Sequence, residues 1–321
     1  MSASNKGNIS LRLEPAFRKS FLSRLQSDFR RNRIIYLMML PVVAYYFIFY
    51  YIPMYGAQIA FRDFSPGKGI YGSDWVGLKN FIDFFKSYYF WRLLKNTFLL
   101  NIYDIIFGFP VPIILALLLN EVRVGAFKRT VQTITYLPHF ISIVVLSGMI
   151  IDFTTRTGLF NSLLGMFGLP PIIFMSEPSW FPPIFVGSGI WQEFGWGSII
   201  YLAALSNIDP QLYEAARVDG ANKWQQTMHI TLPGILSTIA IMLILRFGRM
   251  MNVGVEKVLL LYNPMTYPTA DVISTFIYRK GLIENNFSYS AAVGLFNSVV
   301  NFILLVTVNK LSKKASGTGL F

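Results

Sequence analysis

The 321-residue chain is 54% hydrophobic and 14% charged, against roughly 25% charged in soluble domains. Its net charge of +12 does not imply nucleic acid, because the basic residues cluster beside apolar runs in the positive-inside pattern of membrane proteins. The absence of cysteine excludes disulfide frameworks, cysteine-based zinc sites and cysteine nucleophiles.

The chain opens with a basic segment, residues 1–33. Phe17, Phe21, Leu25 and Phe29 recur at every fourth position, with Arg18, Lys19, Arg24, Arg30 and Arg31 between them. This spacing predicts an amphipathic helix, lying on an anionic leaflet or packed on a partner protein. Residues 34–92 then hold a first apolar run and a loop, residues 93–312 the main membrane core, and residues 313–321 a short tail. The first apolar run starts too far inside the chain, and lacks a small-residue cleavage site, to read as a secretory signal.

Six runs are expected to cross a bilayer, which takes about 20 residues each: 34–52, 97–119, 131–151, 183–205, 234–253 and 291–308. The expected fold is an all-α membrane protein with six transmembrane helices. An even number of spans places both termini on one side. Sixteen Lys and Arg fall on that side and ten on the other, so both termini are expected in the cytoplasm. Tyr50, Tyr51, Tyr88, Tyr89, Trp91 and Trp180 lie near the outer ends, as an interfacial aromatic belt would.

Familiar catalytic signatures are missing. No G-x-x-x-x-G-K-[ST] occurs, and "SPGKGIYGS" has the wrong spacing for a phosphate loop. "VGSGIW" is not a nucleophile elbow. His139, in "YLPHFIS", has no second histidine or carboxylate run beside it in sequence, which favours packing or hydrogen bonding over a proton relay.

Between the fourth and fifth runs lies "DPQLYEAARVDGANKWQQTMHITLP". Asp209 can cap a helix with Pro210 in its first turn. A helix over 211–218, a reversal at Gly220 and a second short helix through "ANKWQQTMHI" follow, with Pro233 expected at the entrance of the fifth span. Glu214 and Asp219 can meet basic groups on a partner, and Ala215 and Ala216 leave the backbone open to close approach.

"EAARVDGA…ITLP" matches the EAA signature at Glu214, Ala215, Ala216, Gly220, Ile230, Leu232 and Pro233. On these residues the chain resembles the membrane subunits of binding-protein-dependent ABC sugar importers. The likeness runs from "WVGLKNF" to the C-terminus. "LAALSNIDPQLYEAARVDGANKWQ" is similar to the maltose-permease class, and "FGRMMNVGVEKVLLLYNPMTYPTADVISTFIYRKGL" to its complex-oligosaccharide, LplB-like branch. The resemblance implies a type I importer permease fold in the bacterial cell membrane and a non-catalytic subunit. It implies a second homologous permease, a different chain in this branch, two ATPase subunits that hold ATP and Mg, and an extracellular solute-binding protein. It also implies that Glu214, Ala215, Ala216, Asp219, Gly220, Leu232 and Pro233 couple to the ATPase.

Ionisable residues inside spans are functional candidates, because burying an unpaired charge there costs several kcal/mol. Glu193, Arg246 and Arg249 qualify, and Asp104 lies near the outer half of the second span. One reading is an intramembrane ion pair, for example Glu193 with Arg246. The other has the arginines holding sugar hydroxyls or a uronate carboxylate. Tyr103, Trp191 and Trp196 can stack on sugar rings or pack helices. Asn252, Asn297 and Asn301 can line a pathway or join helices. The expected cargo is an oligosaccharide derived from a polysaccharide, a uronate-containing one such as a pectin or alginate fragment if the arginines face it. An ion-driven transporter would need inverted repeats, and a polysaccharide-building enzyme paired catalytic carboxylates; neither is evident.

Overall fold

The structure, a computed structural model, describes residues 28–122, 124–317 and 319. The predicted amphipathic stretch over 17–25 lies outside them. The chain divides into two compact units at Gly56 and Ala57.

The first unit is dominated by α1, Arg33–Tyr46, which continues through a π turn, Phe47–Tyr51, and a last helical turn, Ile52–Met54. Pro41 sits inside α1, and Tyr45, Tyr46, Phe49 and Tyr50 stack along it.

In the second unit a two-residue hairpin ladder, Arg62–Asp63 against Asp74–Trp75, precedes α2 (Lys79–Lys86). Then come α3 (Phe90–Tyr103), a π turn (Asp104–Gly108) and α4 (Pro110–Glu121). They are followed by α5 (Gly125–Tyr136), α6 (Ile143–Thr154), α7 (Leu159–Met166) and α8 (Phe181–Leu205). The chain continues through α9 (Pro210–Val218), α10 (Lys223–Gln226), α11 (Leu236–Phe247), α12 (Val255–Leu261), α13 (Ile273–Tyr278) and α14 (Phe287–Ser316).

Among the described residues, four helical stretches are long and apolar enough to cross a membrane: Arg33–Phe61, Phe90–Glu121, Ile143–Met166 and Phe287–Lys314. A fifth is the pair Lys223–Gly234 and Leu236–Phe247, bent by 58°. α8 has 25 residues, about 37 Å of helix, but Gln192, Glu193 and four glycines dilute its apolar surface.

The third predicted span needs correction. The run 131–151 is not one helix: α5 ends at Tyr136, a 3-10 turn covers Leu137–Phe140, and α6 starts afresh at Ile143. Pro138 brings no N–H to the turn, and the backbone leaves the helical conformation at Ile141 and Ser142. Ser142 caps the new start, accepting from the Val145 N–H at 3.3 Å. Gln192 of α8 donates to the Ile141 carbonyl at 2.9 Å, satisfying a group freed by the break.

α8 is the central post. A Cβ on Gly195 would lie 2.0 Å from the Thr135 carbonyl oxygen, and one on Gly197 would lie 3.2 Å from Pro112 Cγ. Small residues thus let α8 approach α5 and α4 closely. Three apolar clusters join the helices, two of them through α8. Ala116, Tyr201, Leu205 and Ile235 join α4, α8 and the foot of α11. Leu100, Leu146, Phe181 and Val258 join α3, α6, α8 and α12. Phe84, Leu93, Phe276 and Val293 join α2, α3, α13 and α14.

Asp271 is fully buried and receives Arg279 at 2.8 Å and Arg92 at 3.2 Å. Asn96 donates to the Asp271 carbonyl at 3.0 Å. These bonds tie the start of α3 to the residues flanking both ends of α13. Burial works against the charge of Arg279, but hydrogen bonding and attraction from Asp271 outweigh it and raise its pKa.

Candidate functional site

Two polar regions interrupt the apolar helices. The first is the segment from Asp209 to Gly234. The Asp209 carboxylate accepts from the Gln211 N–H at 2.9 Å, and Pro210 occupies the first turn of α9. Gly220 adopts φ +81°, the left-handed conformation that suits glycine. Asn222 and Gln225 then form a reciprocal capping box at 2.9 and 2.8 Å, which starts α10. Tyr213 Oη meets Thr231 Oγ1 at 3.0 Å, and Gln226 donates to the Ala221 carbonyl at 2.8 Å, so the two short helices brace each other.

Glu214, Ala215, Asp219 and Gly220 are exposed, and Ala216 is half-buried. Ala216, Asp219, Gly220, Gln225 and His229 line a shallow cleft of about 330 Å³. Leu212, Val218 and Trp224 are also exposed here, at 52%, 88% and 67%, giving the segment an apolar rim that a charge-centred reading passes over.

Pro233 is not at a helix entrance. It lies in the last turn of the helical stretch Lys223–Gly234, and α11 leaves from Ile235 at 58°. Proline offers no N–H and its ring crowds the carbonyl four residues back. The chain accommodates it with a π turn, Thr227–Thr231, and then bends. Leu232 is half-buried beside it.

The second region is a layer of polar side chains midway along the bundle. Arg246 of α11 is paired with Asp104, which opens the π turn after α3. Glu193 of α8 pairs instead with His139 at 3.1 Å, and the His139 ring stacks on Trp196 at 4.5 Å between centroids. The suggested pairing of Glu193 with Arg246 is therefore corrected. His139 has a carboxylate partner that its sequence neighbourhood does not reveal, because 54 residues separate the two. Lys257, buried at the start of α12, donates to the Phe185 carbonyl at 2.8 Å beside Gly189.

α11 ends at Phe247 and α12 begins at Val255, so the backbone is irregular between them. Asn301 of α14 serves this break with both ends of its amide. It donates to the Gly248 carbonyl at 2.6 Å and accepts from the Met251 N–H at 3.3 Å. Asn297, one turn away, reaches Asn252 at 3.5 Å. Met250, Met251 and Val253 are buried while Arg249 and Asn252 are exposed. Tyr103 is partly exposed and stacks on Phe107, outside these pairs. Trp191 lines a separate apolar cavity of about 670 Å³ with Phe153, Phe160 and Trp180. Among the described residues, no group of three or more His, Asp or Glu is placed to hold a metal.

Residues 94–317 match the family of binding-protein-dependent transport system inner membrane components. The chain belongs to that family. It is a multi-pass membrane permease, not an enzyme. Over 293 residues it is 46% identical to the protein LplB of Bacillus subtilis (strain 168), covering 91% of this chain and 92% of that one. Over 306 residues it is 45% identical to the polygalacturonan/rhamnogalacturonan transport system permease protein YteP of the same organism, covering 95% of each. The crystal structure of a bacterial alginate ABC transporter, in complex with an alginate pentasaccharide-bound periplasmic protein, contains a chain of the same fold. That chain superimposes with a TM-score of 0.86 at 44% identity, over 92% of this permease and all of its own length.

Proposed function

We propose that this permease forms, with a second and different permease of its family, the membrane pathway of an ABC importer for acidic oligosaccharides cut from a polysaccharide. The reading rests foremost on close likeness to two carriers whose named cargoes, polygalacturonan/rhamnogalacturonan and alginate, are acidic. The polar layer supports it. Among its formally charged side chains, Arg246, Arg249 and Lys257 outnumber Asp104 and Glu193, which favours an anionic cargo.

In this reading α8 and the bent pair complete six spans, with both termini in the cytoplasm. The segment from Asp209 to Gly234 docks on one of two ATPase subunits, which bind ATP and Mg. Glu214 and Asp219 supply polar contacts, Ala215, Ala216 and Gly220 allow close approach, and Leu232 and Pro233 pass the movement into α11. An extracellular binding protein delivers the sugar to the outer end.

The test is transport by the whole complex in proteoliposomes with its binding protein. ATP-dependent uptake of trigalacturonate is expected. Uptake of neutral oligosaccharides alone would overturn the acidic cargo, and purification of this chain as an active transporter without an ATPase would overturn the importer.

A further inference from the structure

Arg246, in the last turn of α11, and Arg249, two residues past its end, are both exposed, yet they are electrostatically different. Arg246 is paired with Asp104. Arg249 has no ion pair and no side-chain hydrogen bond among the described residues, and a guanidinium stays charged in any protein environment. The depth matters. α11 has 12 residues, about 18 Å of helix, so Arg249, two residues past its end, falls within the length of a hydrocarbon core of about 30 Å. A lone charge there is costly. Among the described residues no carboxylate pairs with it, which leaves it open to a counter-charge from elsewhere.

Its position says what kind. Irregular backbone at membrane depth persists where it is packed in protein or lines a cavity. The break after α11 is packed in protein. It turns Met250, Met251 and Val253 into the core, fixes its backbone with Asn301, and leaves Arg249 and Asn252 outward. The other charged groups of the layer are already engaged: Asp104 with Arg246, Glu193 with His139, and Lys257 with a carbonyl. Among these cations Arg246 has an ion pair and Lys257 a hydrogen bond, whereas Arg249 has neither among the described residues and stands beside an amide able to exchange hydrogen bonds with a hydroxyl.

We propose that Arg249 is the residue that receives a carboxylate of the passing sugar, whereas Arg246, held by Asp104, is a positioning residue. The assignment rests on the acidic cargo of the preceding section. The guanidinium fork fits a uronate carboxylate with two parallel N–H donors, and Asn252 meets a neighbouring hydroxyl.

The experiment compares the intact complex carrying Arg249→Gln, Arg249→Lys or no change, reconstituted in proteoliposomes with its binding protein and radiolabelled trigalacturonate. Arg249→Gln is expected to lower the uptake rate about ten- to hundred-fold, the loss of one charge-assisted contact, with complex yield and basal ATP hydrolysis unchanged. Arg249→Lys keeps the charge without the fork and is expected to fall in between. Wild-type uptake by Arg249→Gln overturns the assignment and leaves the acidic cargo standing. Loss of the second permease from the purified Arg249→Gln complex also overturns it, in favour of an interchain ion pair. Failure of the unaltered complex to move trigalacturonate while it moves a neutral trisaccharide overturns both.

Discussion

The segment from Asp209 to Gly234 and the layer around Asp104, Glu193 and Arg246 are both polar interruptions of an apolar chain, held together in opposite ways. In the segment the bonds close over short stretches, two residues for the Asp209 cap, three for the Asn222 box and 18 for Tyr213 to Thr231, with Lys223 to Glu121 the exception. In the layer, the bonds join residues 142, 72, 54 and 53 apart. A locally closed element can move as a unit while its interior persists. Pins between distant helices instead define where those helices stand. Damage to the layer and its helix crossings should therefore reach the fold, whereas damage to the segment should reach mainly the transmission of movement.

The sharpest way to break this contrast is Gly195→Val. The added Cβ would meet the Thr135 backbone at 2.0 Å, and a backbone carbonyl in a packed helix has little room to yield. A loss of about 3 kcal/mol or more is expected, the upper end for overpacking, read as a collapse in the yield of monodisperse protein from detergent. Asn301→Leu comes next. It strands the Gly248 carbonyl and the Met251 N–H, at about 1–3 kcal/mol. The thermal midpoint should drop, and uptake should fall only with the folded fraction. Unchanged stability with lost uptake would instead make Asn301 a pathway residue.

Gly220→Val should cost the fold about 1–2 kcal/mol, the strain of a side chain in the left-handed region. Glu214→Lys, at an exposed position, should stay within about 0.5 kcal/mol. Both variants should remain in the membrane, yet hydrolyse ATP without sugar uptake. Normal uptake in both would remove the docking role of this segment.

The same contrast decides what could be read in advance. Asp209, Gly220 and Asn222 announce their structure because cap, reversal and second cap are each set by neighbours in sequence. The long apolar runs of α8 and α14 are visible for a similar reason: length and composition are local properties. Pro138 and Pro233 were harder, since each lies where an apolar or helical pattern continues on both sides. What a proline does there depends on which carbonyls other helices can satisfy, as Gln192 does for Ile141. The partner of Arg246 was not readable at all. Asp104 and Glu193 are equally plausible from spacing, and the choice is made by the packing of α3, α8 and α11. The shared face of Asn297 and Asn301 follows from their separation of four, but the break that Asn301 serves becomes visible only once α11 and α14 are side by side.

The smallest expected effect tests the contrast at its margin. Lys223 pairs with Glu121 at 2.7 Å, joining the start of α10 to the end of α4, and it is the one ion pair between the segment and a membrane helix among the described residues. The two side chains are 64% and 43% exposed, so water screens the attraction and the entropy of holding two long side chains offsets much of it. Lys223→Ala should therefore change stability by less than about 1 kcal/mol, with a difference from the unaltered complex that shrinks further as salt is raised. If the segment is held by its own short-range bonds, coupling should survive this loss, because the Tyr213–Thr231 and Asn222–Gln225 contacts remain. A large loss of coupling in Lys223→Ala, at normal stability, would show that the segment is steered from α4, and that local closure alone does not define the unit that moves.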